Sequence, residues 1–215
     1  MKKWIFSFVL LTSGAQALTH DTKLSGNYLN RAKVFRPIEF NYVSPESVPS
    51  APLLVKAMKI TGFDAQSLGK LDSAFKALEY VVNSDEFKNR VINFKNSKGQ
   101  RSFASNDGKS NEEIFEIFMD GRETLQHDTS GEMNFFLNLY YKRWSRVVGY
   151  TSATTNTINI NWKYFRNYEA HEVAGNLAHE WTHKLGFDHR SASEHDSAPY
   201  AIGYIVEELA EKYLK

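Results

Sequence analysis

The sequence predicts a single domain of the α/β or α+β class, and two features of its apolar pattern support this prediction. Four segments place apolar residues at the three- and four-residue spacing of a buried helix face, and three others have the alternation or aromatic content of strands. No linker divides the helical segments from the strand segments. With 215 residues, 42% of them hydrophobic, the chain is long enough to bury a core and too apolar to be disordered.

The first 17 residues have the pattern of a secretory signal peptide. Two lysines precede an apolar run at 4–12, and the triplet Ala-Gln-Ala at 15–17 forms a small-x-small cleavage site. The apolar run is short for a stable membrane span, so we favour cleavage and export over an uncleaved anchor. The protein is therefore expected outside the cytoplasm, secreted or periplasmic, and no later segment is apolar enough to cross a membrane.

Residues 18–60 precede the predicted domain, which we place at 61–215. Residues 18–52 carry four of the five prolines and have no sustained period. This segment either wraps the domain or forms a removable pro-segment, and the sequence does not separate these alternatives. In a precursor, a carboxylate of this segment, such as Asp21, is a candidate for blocking the site formed by residues 179–189.

The domain is predicted to begin with a long helix followed by a shorter one. The buried face of the long helix is formed by Leu68, Leu71, Phe75, Leu78 and Val82. A second helical segment at 85–90 leads into residues 91–94, Val-Ile-Asn-Phe, for which we predict a strand.

A third helix is predicted from the capping-box pair Ser110 and Glu113 to a stop at Gly121. Three strands are predicted next, at 133–142, 146–151 and 157–161. A long helix follows at about 168–185, and the chain ends with helical spacing at 202–213.

Composition excludes several kinds of function. The 26 basic and 25 acidic residues balance, so the chain has no basic field for nucleic acid. It has no cysteine, which excludes disulfides, thiolate zinc sites and a cysteine nucleophile.

The segment at 179–189, His-Glu-Trp-Thr-His-Lys-Leu-Gly-Phe-Asp-His, carries the chemistry. On a helix, His179 and His183 lie one turn apart on one face and can direct ring nitrogens at a common point. Zn²⁺ accepts imidazole nitrogens at about 2.0–2.1 Å. Glu180 lies about 100° around the helix from His179, near the metal but not placed as a ligand, where it can take a proton from water.

Gly186 follows one turn after His183 and permits the left-handed backbone that ends a helix. The returning chain would bring His189 to the same ion as a third imidazole. Three ligands leave a fourth position open for water, which is the arrangement of catalytic zinc. The spacing therefore predicts a hydrolytic zinc centre with Glu180 as its base.

This pattern makes the chain resemble the metzincin clan of zinc metallopeptidases, whose signature is His-Glu-x-x-His-x-x-Gly-x-x-His. In that clan the last strands before the zinc helix are an antiparallel edge strand and an inner strand, the order of 146–151 and 157–161. The resemblance implies a metzincin-like zincin fold of the α+β class with an α/β-type upper subdomain. That fold has a mixed twisted sheet, two long helices and a small C-terminal subdomain that ends in a helix.

Two departures from the clan suggest a divergent member. Metzincins carry a methionine in a turn beneath the zinc, and this chain has no methionine after Met133. Its nearest equivalent is 196–200, with Ala198 or Pro199 in the methionine's place. Arg190, directly after the third histidine, matches none of the best-known subfamilies.

The resemblance implies an exported zinc metalloendopeptidase that holds one catalytic Zn²⁺ with His179, His183 and His189. In some metzincins a tyrosine of the methionine turn approaches the zinc, and Tyr200 stands at the comparable place. Tyr200 is therefore either a stabiliser of the oxyanion or a core aromatic at a helix start.

An extended protein or peptide substrate would pair with the strand from Arg146 to Thr151 by strand addition. The alternative for this strand is an ordinary edge that Arg146 protects. We expect a monomer, with neither nucleic acid nor a membrane as a partner.

Two other functions stay open on the sequence. The same centre could hydrolyse cell-wall cross-link peptides, or the domain could be a zinc-stabilised binding module without catalysis. The intact Glu180 argues against the binding module, because a purely structural site has no use for a proton carrier. Asp188 and His195 lie near the third histidine in sequence and either support it or lie at the surface, of which we favour the surface. His171 is interpreted as an ordinary helix residue.

Overall fold

The computed structural model describes residues 53–125, 130–151, 155–191 and 194–215. The predicted signal peptide at 1–17 and residues 18–52 lie outside these ranges. Within them the chain forms a four-stranded mixed sheet and six helices, which confirms the α+β class. None of the helices in the described ranges combines the length and the apolarity that a membrane span requires.

The sheet has the strand order β1-β2-β4-β3. Its strands are β1 (Leu54–Thr61), β2 (Glu132–Tyr140), β3 (Gly149–Thr151) and β4 (Thr157–Asn161). β1 runs parallel to β2, and β2 runs parallel to β4. β3 runs antiparallel to β4 and forms one edge of the sheet. The strands predicted at 133–142, 146–151 and 157–161 therefore correspond to β2, β3 and β4, although β3 is shorter than predicted.

The helices are α1 (Ala65–Val82), α2 (Asp85–Ile92), α3 (Asn111–Asp120), α4 (Trp162–Phe165), α5 (Ala170–Lys184) and α6 (Ala198–Tyr213). Both hydrogen bonds of the predicted capping box at Ser110 and Glu113 are present. Gly121 ends α3 in the left-handed conformation with φ of 71°, as its position predicted.

The prediction of a strand at 91–94 is wrong. Val91 and Ile92 form the last turn of α2, and Asn93 caps that helix. The helix begins at Ser84, whose side chain accepts a hydrogen bond from the Phe87 N–H. Phe87 and Val91 are both buried and lie four residues apart, on one face of the helix. Burial of this face outweighs the β-propensity of Val-Ile and makes the segment helical.

Two further differences concern the start of the sheet and the start of the last helix. β1 was not predicted, and it pairs residues 54–61 with β2 in the sheet. The turn expected at 196–200 lies earlier, at 195–196, and Ser197 is the N-cap of α6. Ala198 and Pro199 therefore begin the helix, and Tyr200 lies in its first turn.

The main chains of α5 and α6 approach each other closely at two glycines. A Cβ atom on Gly175 would lie 2.8 Å from the carbonyl oxygen of Gly203. A Cβ atom on Gly203 would lie 3.0 Å from the carbonyl oxygen of Gly175 and 3.2 Å from the Cβ atom of His179. The absence of side chains here lets α6 bring Tyr200, one turn before Gly203, against α5.

We expect Gly175→Ala to lower the free energy of unfolding by about 1–3 kcal/mol, because the added methyl group would overlap α6. Gly69→Ala in α1 is the matched control, since no atom lies within 4 Å of its Cβ position. That change should instead raise stability by up to about 1 kcal/mol through helix propensity. Urea unfolding followed by circular dichroism measures both, and equal shifts for the two variants would contradict the packing assignment.

Candidate metal centre

α5 is the helix that carries most of the candidate centre, and it is almost fully enclosed. It packs against α1, α6 and β3. Every residue from 172 to 182 is buried, including the polar ones. His179 and Glu180 are each only 2% exposed. A buried helix with this many polar side chains needs partners for them, and those partners define the site.

The two histidines of α5 face the same point, as the four-residue spacing predicted. The Nε2 atoms of His179 and His183 lie 3.3 Å apart. Their ring centroids are 5.0 Å apart, with the rings at 76° to each other.

The chain after α5 turns back and delivers the third histidine. Gly186 has φ of +94°, a left-handed conformation, and the Phe187 N–H donates to the carbonyl of Thr182. The His189 ring centroid then lies 5.4 Å from that of His179 and 5.0 Å from that of His183. The structure thus brings together the three histidines that the sequence predicted.

The end of α5 is held in place by the chain that follows α3. The carbonyl of Lys184 accepts hydrogen bonds from the N–H and the hydroxyl of Thr124, at 2.9 and 3.0 Å. The Lys184 ammonium group donates to the Asn134 carbonyl of β2 and lies 2.8 Å from a carboxylate oxygen of Glu123. Both members of this ion pair are buried, and burial raises the pKa of Glu123 and lowers that of Lys184. The ion pair with Glu123 and the hydrogen bond to Asn134 of β2 together hold Lys184, the residue next to His183, against the sheet.

Two main-chain carbonyls fix the outer nitrogens of the rings. His183 Nδ1 lies 2.8 Å from the carbonyl oxygen of Phe187. The His179 ring hydrogen-bonds to the main chain of Pro199, which has no N–H and therefore accepts through its carbonyl. A ring nitrogen that donates in this way carries the proton, which leaves the other nitrogen free to bind a metal.

The three rings are held neutral by their surroundings. Burial, together with the neighbouring histidines, lowers the pKa of His179 well below its usual value and that of His183 to about 4. Burial also lowers the pKa of His189, although Asp188 and Glu194 oppose the shift. Neutral imidazole is the form that binds metal ions.

The donor atoms of His179, His183 and His189 lie close enough together to hold a metal ion. They all lie within 4.8 Å of one another, and among the described residues this is the group of histidine or carboxylate side chains that could hold a metal. Tetrahedral coordination with bonds of about 2.05 Å places neighbouring ligand atoms about 3.3–3.4 Å apart. The 3.3 Å separation of the two Nε2 atoms matches that requirement.

Glu180 lies beside the centre and is held by the edge strand. Its Oε2 atom accepts a hydrogen bond of 2.9 Å from the hydroxyl of Thr151. Its Oε1 atom lies 3.0 Å from the Cβ position of Gly149, so a side chain there would crowd the carboxylate and push it by a few tenths of an ångström. Burial raises the pKa of Glu180 to about 7, although the Thr151 hydrogen bond opposes the shift.

Tyr200 packs directly against the histidine rings. Its ring centroid is 4.7 Å from that of His179 and 4.7 Å from that of His189. The side chain is 1% exposed and lies in the first turn of α6. The structure therefore brings Tyr200 to the centre as one wall of it, and both roles predicted for this residue remain compatible with that position.

A pocket of about 150 Å³ adjoins the centre on the side of His183 and Thr151. Its walls come from the segment around Asn156 and from the turn after α5. A larger pocket of about 690 Å³ lies between α2 and α6, with His195 on its rim.

The remaining candidates are peripheral. The side chain of Asp188 is 55% exposed, and it accepts a hydrogen bond from the N–H of His189. His195 is exposed, and its Nδ1 atom lies 3.3 Å from the hydroxyl oxygen of Tyr204. His171 lies in the first turn of α5, outside the cluster.

Sequence reasoning missed the residues that orient the centre. These are Thr151 and Gly149 on β3 and the carbonyls of Phe187 and Pro199. Thr151 is 29 residues from Glu180, and nothing in its local pattern distinguishes it from any other strand threonine. A main-chain carbonyl has no sequence signature at all.

Comparison with protein-family models, curated proteins and solved structures finds no match for this chain.

We expect zinc to stabilise the folded protein, by about 4 kcal/mol when its free concentration is a thousand times the dissociation constant. His189→Ala should lose most of this stabilisation, because it leaves two of the three converging imidazoles. His171→Ala removes a histidine of the same helix outside the cluster and should keep it. Urea unfolding with and without zinc, together with metal analysis of the dialysed proteins, measures the effect. Equal zinc stabilisation in His189→Ala and wild type would exclude the site.

Proposed function

We propose that this chain is an exported zinc metallopeptidase of the metzincin type that hydrolyses peptide bonds in protein or peptide substrates. The observation that carries the proposal is the convergence of three neutral imidazoles, two of them buried, next to a buried carboxylate. A purely structural zinc site is usually closed by four protein ligands. Three converging donors with an adjacent acid or base are typical of a hydrolytic centre instead.

The proposed chemistry divides between the ion and Glu180. His179, His183 and His189 would hold Zn²⁺, which when bound would supply Lewis acidity and make water a nucleophile near neutral pH. The Glu180 carboxylate accepts a proton from the attacking water and passes it to the leaving nitrogen of the peptide bond. The hydrogen bond from Thr151 holds one carboxylate oxygen, so the group keeps a defined orientation while it transfers the proton.

The free edge of β3 is the proposed binding surface for an extended substrate. The Asn161 N–H donates to the Val148 carbonyl at 2.8 Å, and Tyr150 is paired with Asn159. Because hydrogen-bonded pairs alternate in an antiparallel ladder, the main-chain groups of Thr151 point away from β4. A peptide that adds a strand there would run past Glu180, which the side chain of Thr151 contacts.

Three features support the metzincin type among zinc hydrolases. They are the complete His-Glu-x-x-His-x-x-Gly-x-x-His motif, the left-handed glycine that returns His189, and the short antiparallel edge strand beside an inner strand. The clan's methionine packs beneath the zinc without binding it. We assign that packing role to Tyr200, whose ring contacts two of the three histidines.

Glu180→Gln is the decisive variant. We expect it to bind zinc with wild-type stoichiometry and to lose about 10²–10⁴-fold in kcat, because it cannot accept a proton. Hydrolysis of casein and of a quenched fluorescent peptide library measures the activity. Glu116→Gln, at an exposed position of α3, makes the same chemical change away from the centre and should leave kcat unchanged.

These measurements distinguish the peptidase proposal from the two alternative functions, a binding module and a cell-wall peptide hydrolase. Zinc-loaded wild type that cuts neither casein, nor the peptide library, nor cell-wall cross-link peptides would contradict the peptidase proposal and favour a binding module. Cleavage restricted to cell-wall cross-link peptides would assign the same centre to that substrate.

Tyr200→Phe and Tyr200→Ala distinguish the ring of Tyr200 from its hydroxyl. We expect the phenylalanine variant to retain zinc and the alanine variant to bind it more weakly, because the ring supports His179 and His189. Zinc competition with a chelating dye measures the affinity, and peptide hydrolysis gives kcat. A drop of about 100-fold in kcat for Tyr200→Phe at unchanged zinc affinity would assign the hydroxyl to the oxyanion.

A further inference from the structure

β3 contacts Glu180 through both of its residues that face α5. The Thr151 hydroxyl donates to Oε2 at 2.9 Å. Oε1 lies 3.0 Å from the Cβ position of Gly149, and the side-chain oxygen of Asn176 lies 3.3 Å from the same point. Thr151 therefore donates a hydrogen bond to the carboxylate, and Gly149 leaves the space that the carboxylate fills.

Holding this carboxylate matters because of where it lies. Glu180 is 2% exposed, so water cannot solvate it from all sides as it would a surface glutamate. Its side chain has three rotatable bonds, and each orientation directs the carboxylate oxygens to a different place. A fixed hydrogen bond to one oxygen removes that freedom and defines where the other oxygen points.

We propose that Thr151 is a positioning residue for the reaction. Gly149 contributes because it has no side chain, which leaves room for the Glu180 carboxylate beside the strand. This inference rests on the proposed function. The strand whose main chain binds the substrate thereby also sets the orientation of the proton carrier. Substrate and base are aligned through a single three-residue element, β3.

Thr151→Val tests the hydrogen bond with little change in shape. Valine matches threonine in size and favours strands, so β3 should keep its pairing. We expect kcat to fall about 10- to 100-fold, the cost of one hydrogen bond to a charged group, with KM and zinc content near wild type. Thr151→Ser restores a hydroxyl and should recover most of kcat. Thr157→Val makes the same change on β4 and is the control.

A double-mutant cycle identifies the partner of Thr151. If Thr151 acts through Glu180, Thr151→Val should have no further effect on kcat in the Glu180→Gln background. Infrared difference spectra of the metal-free protein provide a readout independent of activity. The carboxyl band that Glu180→Gln removes should shift in Thr151→Val and return in Thr151→Ser.

Each outcome bears on the proposal. Wild-type kcat in Thr151→Val, failure of serine to restore kcat, additive losses in the double variant, or an unshifted carboxyl band would overturn the positioning role while leaving the peptidase assignment intact. Loss of zinc or of urea stability in Thr151→Val would show a structural role instead. An inactive zinc-loaded wild type would overturn both the proposed function and this inference.

Discussion

The centre depends on keeping three imidazole rings neutral and fixed in position. Burial makes protonation unfavourable, and the carbonyls of Phe187 and Pro199 hold the outer nitrogens of two rings. Two inner nitrogens then face each other at 3.3 Å, where two unshared lone pairs repel unless a proton or a cation lies between them. The enclosure of α5 and its anchored end both serve this arrangement, because a loosened helix would let the rings turn away from their common point.

The candidate ligands could be predicted from the sequence because their geometry is local. His179 and His183 are placed by helical periodicity alone, and His189 needs only a glycine that can adopt a positive φ at position 186. Glu180 follows from the same helix. The class of fold was likewise predictable, since four helical segments and three strand segments have recognisable apolar patterns in the sequence.

The parts that could not be predicted depend on distant contacts. β1 carries lysines and apolar residues without clean alternation, because it is partly exposed on both faces, and pairing with β2 decides its conformation. The 91–94 segment follows its helical neighbours rather than its own composition. The contact of Thr151 with Glu180 exists only after β3 has packed on α5, so no local pattern reports it.

The glycine contact between α5 and α6 has a consequence for how the floor of the centre can vary. The spacing of these helices is set where Gly175 and Gly203 meet, since a Cβ atom on either would lie 2.8–3.0 Å from the carbonyl oxygen of the other. A Cβ atom on Gly203 would also lie 3.2 Å from that of His179, so a larger residue at 203 would press on a candidate ligand as well as on the helix. Selection for a metal site here therefore acts on a position of α6 that carries no functional group.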